Sequence, residues 1–166
     1  MRRAIPAGLL LLGLVSCAPA PCPTLEEADR DYDRQDLGTA EVDYRHLLEC
    51  DVPEREQLRA LQRIGECLRR QGRVSEARAV FERVMAWPIA GEAARPWSFE
   101  RNVKGHAQMG IGECYEAEGR WKEALDAYRD SHLKYPVRGD CGNGNRERKE
   151  QELENIARCV RKLKGE

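Results

Sequence analysis

The chain has 166 residues, 34% of them charged and 6% aromatic, with 28 basic against 29 acidic side chains and a formal net charge of −1. Phosphate neutralisation dominates nucleic-acid binding, so the lack of a basic excess argues against nucleic acid as a partner. The length suits one domain after any leader is removed, and the wealth of Ala, Leu, Glu and Arg favours thin helical layers over a thick globular core.

The N-terminus reads MRRAIPAGLLLLGLVSCAPAPCPT. Arg2 and Arg3 precede an apolar run from Ala7 to Val15, and small residues lead to Cys17. This is the order of a secretory signal over residues 1–16. The run falls short of the roughly 20 residues that span a bilayer. Leu14-Val15-Ser16-Cys17 resembles the bacterial lipobox, which implies cleavage before Cys17 and acylation (palmitate included) of its thiol and new amino group. Residues 17–23 then form a lipidated linker. Ala18, where aspartate would retain such a protein at the inner membrane, points to the outer membrane, on its periplasmic side or at the cell surface. Losing Arg2 and Arg3 takes the formal charge from −1 to −3. No polybasic patch then assists the anchor, which rests on acyl chains at about 0.8 kcal/mol per buried methylene.

From residue 24 to 166 the pattern is helical, with helices expected near 24–34, 38–50, 54–71, 74–86, 101–118, 121–134 and 146–163. The tetrapeptide IGEC occurs twice, at Ile64–Cys67 and Ile111–Cys114. From the glycine of each copy, a second glycine follows seven residues on (Gly72, Gly119) and an alanine twelve on (Ala77, Ala124). An aromatic follows sixteen on (Phe81, Tyr128), and Pro88 and Pro136 close the units. Small residues at the first and third points let two antiparallel helices approach, and large neighbours fill the grooves beside them. The middle glycine ends one helix in a left-handed conformation, and the proline stops the next. This pattern resembles the tetratricopeptide repeat, most fully in the unit holding Ile111, Gly112, Tyr115, Gly119, Ala124, Tyr128, Ser131 and Pro136. An earlier unit keeps Ala28, Ala40, Tyr44 and Pro53. Its turn position is Gln35, with Gly38 nearby, so its turn is expected to differ. Ile156-Ala157-Arg158-Cys159 echoes IGEC at the start of a half-unit, the capping helix that a stacked array needs over its last apolar face. The resemblance implies an all-α superhelix of three helix-turn-helix repeats, near 24–53, 58–88 and 105–136, plus a capping helix at 146–163. The rival Sel1-like architecture lacks the proline closures.

Between the second and third repeats, WPIAGEAARPWSF makes an insertion over 87–100. Its Trp87, Trp97 and Phe99 either fold back on the solenoid edge or form an aromatic contact for a partner. Of seven cysteines, Cys17 is assigned to lipid, and the other six permit fifteen pairings in an oxidising compartment. Cys67, Cys114 and Cys159 share one repeat position, on helices about 8–10 Å apart, whereas a disulfide needs Cα atoms within about 7 Å. Helix length disfavours Cys50–Cys67 and weakens Cys141–Cys159. Cys22 and Cys50 stand where the two ends of an antiparallel hairpin meet, and that disulfide is predicted. The remaining cysteines are either buried thiols in alanine-sized holes or members of unassigned bridges.

Catalytic motifs such as C-x-x-C, H-E-x-x-H and G-x-S-x-G are missing from the sequence, so a non-enzymatic chain without cofactor or metal is expected. His46, His106 and His132 lie on separate helices and read as surface histidines. Arg138–Asn145 reads as a flexible turn rather than a calcium loop.

The resemblance further implies a concave groove, lined by the first helix of each repeat, that binds a protein partner. Carried onto this chain, the groove positions are Arg59, Gln62, Glu66, Arg69 and Arg70, then His106, Met109, Glu113, Glu116 and Ala117. The cap adds Gln151, Glu154, Arg158, Arg161 and Lys162. The lysines and asparagines that clamp a terminal carboxylate in chaperone-binding members are not reproduced. Charge alternates in bands, basic, acidic and basic, so reversing Arg69 and Arg70 is expected to weaken partner capture without lowering the melting temperature. The function expected is an adaptor or assembly factor of an envelope machine (pilus, secretion or motility), with no small-molecule substrate. The alternative is an accessory subunit positioning a cell-wall enzyme.

Overall fold

The computed structural model describes residues 21–89, 91, 95, 98–136 and 143–166. Cys17 with the expected leader, Trp97, Cys141 and residues 138–142 of the expected turn lie outside the described residues. Seven α-helices run among the described residues: α1 (Leu25–Asp33), α2 (Leu37–Glu49), α3 (Glu54–Arg70), α4 (Val74–Ala86), α5 (Phe99–Ala117), α6 (Trp121–Lys134) and α7 (Asn143–Lys164). Two starts differ from expectation. The insertion ends at Ser98, whose Oγ accepts the Arg101 amide at 3.2 Å and so caps α5 two residues early. Helix α7 already begins at Asn143, which shortens the turn before it.

Consecutive helices pack as antiparallel neighbours, and α3 also touches α1 and α5. Helices α1, α3 and α5 therefore form one row, the inner row of the expected superhelix, with α2, α4 and α6 in the other, and bonds from Arg148 to Asn102 and from Arg158 to Glu116 bring α7 alongside α5. One aromatic per repeat locks it. Phe81 on α4 is fully buried between two glycines: a Cβ on Gly65 of α3 would stand 2.5 Å from its ring, and one on Gly110 of α5 would stand 2.6 Å away. The same ring thus sets the spacing within repeat two and between repeats two and three. Tyr128 fills the equivalent place over Gly112.

The turn at Gln35 does not differ from the others. Gln35 takes φ 67°, beside 78° at Gly72 and 72° at Gly119. The hairpin demands the left-handed conformation whatever residue stands there, and a non-glycine residue meets it at a cost of roughly 1–2 kcal/mol. The Gln35 Oε1 accepts a hydrogen bond from Arg70 across to α3.

Cys22 and Cys50 are joined by a disulfide with Cα atoms 6.2 Å apart, tying the start of α1 to the end of α2. His46 lies within 4.8 Å of both sulfurs. Cys67, Cys114 and Cys159 are free thiols, all fully buried. Burial pushes both the Cys67 and the Cys114 thiol up to about 12, which suits packing and suppresses reactivity. Trp87 and Phe99 pack against the main core, and Arg55 lies 4.4 Å over the Phe99 ring.

The capping helix is held differently from the repeats. Where α3 and α5 present Ala60 and Ala107 to their neighbours, α7 presents Glu152, only 1% exposed, with Arg148 one turn earlier at 4%. The Arg148 Nε donates to Glu152 Oε1 at 3.1 Å, and its other nitrogens reach Asn102 Oδ1 at 2.7 Å and the Tyr135 carbonyl at 2.9 Å. Ser131 Oγ donates to the same carboxylate at 2.6 Å. His132 Nδ1 is 3.3 Å from its other oxygen. The cap is thus fastened to α5 and α6 by a buried polar cluster.

Candidate functional site

The inner row carries most of the positions that sequence reasoning put in the groove, and it brings them together chiefly as partners of one another. Arg69 stands between two carboxylates, with Nη2 3.0 Å from Glu66 and Nε 2.9 Å from Glu113 of the next repeat. The second contact is an ion pair outside hydrogen-bond alignment, since this Nε has no hydrogen-bond partner. One guanidinium cannot neutralise two carboxylates. Burial, opposed by Arg69 and reinforced by Glu66, raises Glu113 to about 7.

Further along, Arg158 of the cap grips Glu116 at 2.5 and 2.8 Å, and Tyr128 donates to the same carboxylate at 2.7 Å. Arg70 is occupied by Gln35 and lies 5.1 Å over the Tyr32 ring. The alternating bands of charge therefore divide: Arg69 with Glu113 and Arg158 with Glu116 are ion pairs between successive inner helices. Glu154, Arg161 and Lys162 of the cap remain a solvated face. Reversing Arg69 would crowd three carboxylates, so the expectation that its reversal leaves the melting temperature unchanged is corrected.

The other groove positions divide. Met109 packs against the smaller core cluster around Tyr128 and Cys159. Gln151 donates to Asn155 at 2.8 Å. Ala117, Glu154, Arg161 and Lys162 are exposed. His106 is not the surface histidine expected. It is half-buried on α5 facing α3, and desolvation there, with the charges of Arg148 and Arg63, lowers it to about 4, so it is neutral at pH 7.

The N-terminal half of the inner face is built otherwise. A recess of ≈ 180 Å³ between α3 and α5 is lined by Arg59, Gln62 and Arg63 on one side and Phe99, Asn102, Val103 and His106 on the other. Two guanidinium groups share one carboxylate there: Asp29 of α1 lies 2.7 Å from Arg59 Nη2 and 3.4 Å from Arg63 Nε, and Tyr44 donates to it at 2.6 Å. The Nε atoms of Arg59 and Arg63 are buried with no hydrogen-bond partner. A second recess of ≈ 290 Å³ adjoins it, lined by Leu25, Pro53, Arg55, Glu56, Arg59 and Phe99.

Of these residues, sequence reasoning had placed Arg59, Gln62 and His106 in the groove and missed Asp29, Arg63 and Asn102. The readable signal was the spacing of Arg55, Arg59 and Arg63, four residues apart and so one stripe along α3.

Residues 59–86 and 106–136 match the family model described as the tetratricopeptide repeat. No curated protein and no solved structure matches the chain.

Proposed function

Because the chain is a tetratricopeptide repeat protein with an all-α repeat fold, and such repeats are protein-interaction modules, we propose that it is an adaptor anchored in a bacterial envelope. It docks a protein partner on its inner face and serves an assembly such as a pilus, secretion or motility complex. The observation that carries this reading is the division of the inner face. The C-terminal half carries the ion pairs between repeats, whereas the N-terminal half presents open recesses in which Arg59 and Arg63 share the single carboxylate of Asp29 and the Arg59 Nε has no acceptor. A buried donor without a partner costs about 1–3 kcal/mol, and a ligand that satisfies it recovers that free energy. The Cys22–Cys50 disulfide supports an oxidising compartment, and the lipobox order around Cys17 supports an acyl anchor. Anchoring confines the domain to one membrane face and raises its effective concentration for a membrane-bound partner. Fractionation of cells carrying the chain or its Cys17→Ser variant tests the anchor. The parent chain sediments with outer membrane and the variant is released to the soluble periplasmic fraction. Equal distribution of the two would remove the anchor from the proposal.

A further inference from the structure

The two recesses of the N-terminal inner face adjoin at Arg59 and Phe99 and together make a cleft of two chemistries. Its first part is cationic. In the first recess Arg59 and Arg63 share the one carboxylate of Asp29, because Glu66 is turned to Gln62 and Arg69. The surplus positive charge is local to that recess, since Arg55 in the second is met by Glu100 at 3.7 Å and Glu56 lines the same wall. His106 adds a neutral ring, and Gln62 and Asn102 add amides. Its second part has apolar walls in Leu25, Pro53 and Phe99, rimmed by Arg55, Glu56 and Arg59.

We propose that this cleft recognises a partner segment bearing an apolar side chain and, within two residues of it, a side-chain carboxylate. The carboxylate enters between Arg59 and Arg63, and the apolar group rests on Phe99 and Leu25. The inference rests on the adaptor reading and sharpens it by naming the part of the inner face that binds and the chemistry it selects. Arginine favours this role because its planar fork offers several donors to one carboxylate. The Nη2 of Arg59 is already given to Asp29 while its Nε has no acceptor, and Arg63 holds its Nε 3.4 Å from Asp29, outside hydrogen-bond alignment, with its guanidinium 4.5 Å over the Tyr32 ring. Specificity follows from the same count. An uncharged isostere satisfies fewer donors and leaves the surplus cation uncompensated, so discrimination by charge is steep while discrimination among apolar side chains is shallow.

The test is an NMR titration of the ¹⁵N-labelled full chain with blocked hexapeptides. One carries leucine followed by glutamate, a second glutamine in place of the glutamate, and a third phosphoserine. The leucine–glutamate peptide should shift amides at Arg59, Gln62, Arg63, Phe99 and His106, with at least tenfold weaker binding of the glutamine peptide. Asn102→Asp keeps an acceptor for Arg148 but places a carboxylate at the cleft. It should weaken the leucine–glutamate peptide at least tenfold in a chain that circular dichroism shows still folded, and Arg59→Gln, away from the cap cluster, should weaken it likewise. Equal binding of the glutamate and glutamine peptides would overturn the proposal. So would tenfold tighter binding of the phosphoserine peptide, shifts confined to α7, or a self-association of the chain that peptide cannot displace. Partner crosslinking from the inner face that is indifferent to Asn102→Asp would sink this inference alone and leave the adaptor reading standing.

Discussion

Replacing Glu152 with alanine removes the counter-charge from a guanidinium that is almost wholly out of water. Breaking a buried ion pair from one side costs about 3–5 kcal/mol. In Glu152→Ala, Arg148 keeps two strong acceptors, Asn102 Oδ1 at 2.7 Å and the Tyr135 carbonyl at 2.9 Å, so the lower end applies. Ser131 Oγ still has the Gly105 carbonyl at 3.0 Å, so its loss is small. The expected cost is therefore about 3 kcal/mol, against a total stability of roughly 5–15 kcal/mol for a domain of this kind. Stability in a stack is shared between neighbours, so the loss concentrates in the cap. Urea unfolding followed by circular dichroism, and by the fluorescence of Trp121 in the core cluster shared by α6 and α7, reads both the size and the place. Removing both charges together in Arg148→Met/Glu152→Leu should cost less than Glu152→Ala alone, because no buried charge is then orphaned. A loss below about 1 kcal/mol for Glu152→Ala, with no coupling to Arg148 in the double-mutant cycle, would refute a buried ionic fastening of the cap.

Gln35→Gly relieves a left-handed residue at an exposed turn and should raise stability by about 0.5–1 kcal/mol, seen as a higher melting temperature; a lower one would mean that the bond to Arg70 outweighs the backbone. Cys22→Ser/Cys50→Ser opens a loop of 28 residues' separation and should cost about 3–4 kcal/mol in urea unfolding under non-reducing conditions. An unchanged midpoint would show the bridge idle. Two inner-face groups work against each other with pH. Glu113 holds its proton in the fold up to about 7 but releases it near 4.5 when unfolded, so its contribution falls as pH rises from 4.5 to 7. His106 is lowered from 6.5 to about 4, so its contribution rises with pH over that range. Urea midpoints at pH 4.5, 5.5 and 6.5 should therefore climb with pH more steeply in Glu113→Gln than in the parent, and less steeply in His106→Asn. Parallel profiles would show that neither group titrates as described.

Much of the helical frame was legible because its determinants are local: glycine, alanine and aromatic at fixed offsets report close helix approach directly. The turn at Gln35 was misread because the requirement for a positive φ belongs to the hairpin, and the residue type only sets its cost. The inner face was legible as a set of positions but not as a set of contacts. Arg69 with Glu113 and Arg158 with Glu116 join different helices, and sequence spacing carries no signal for such pairs. The same limit concealed the cap. Arg148 and Glu152 look like an ordinary solvated i, i+4 pair, and only their seat above Ser131 and Gly105 shows that they are buried. His106 carries no neighbour at ligand spacing and so reads as a surface residue, whereas its partial burial comes from the recess it shares with Arg59, Gln62 and Arg63 of α3.

The most direct test of the adaptor reading is site-specific photo-crosslinking in intact cells from two exposed positions. Arg55 lies at the mouth of the inner cleft, and Glu82 lies on the outer helix α4. A discrete adduct with a single envelope protein from Arg55, lacking from Glu82, is the expected result. An adduct of equal yield from Glu82, or none from Arg55 while the chain stays folded and in place, would contradict docking on the inner face.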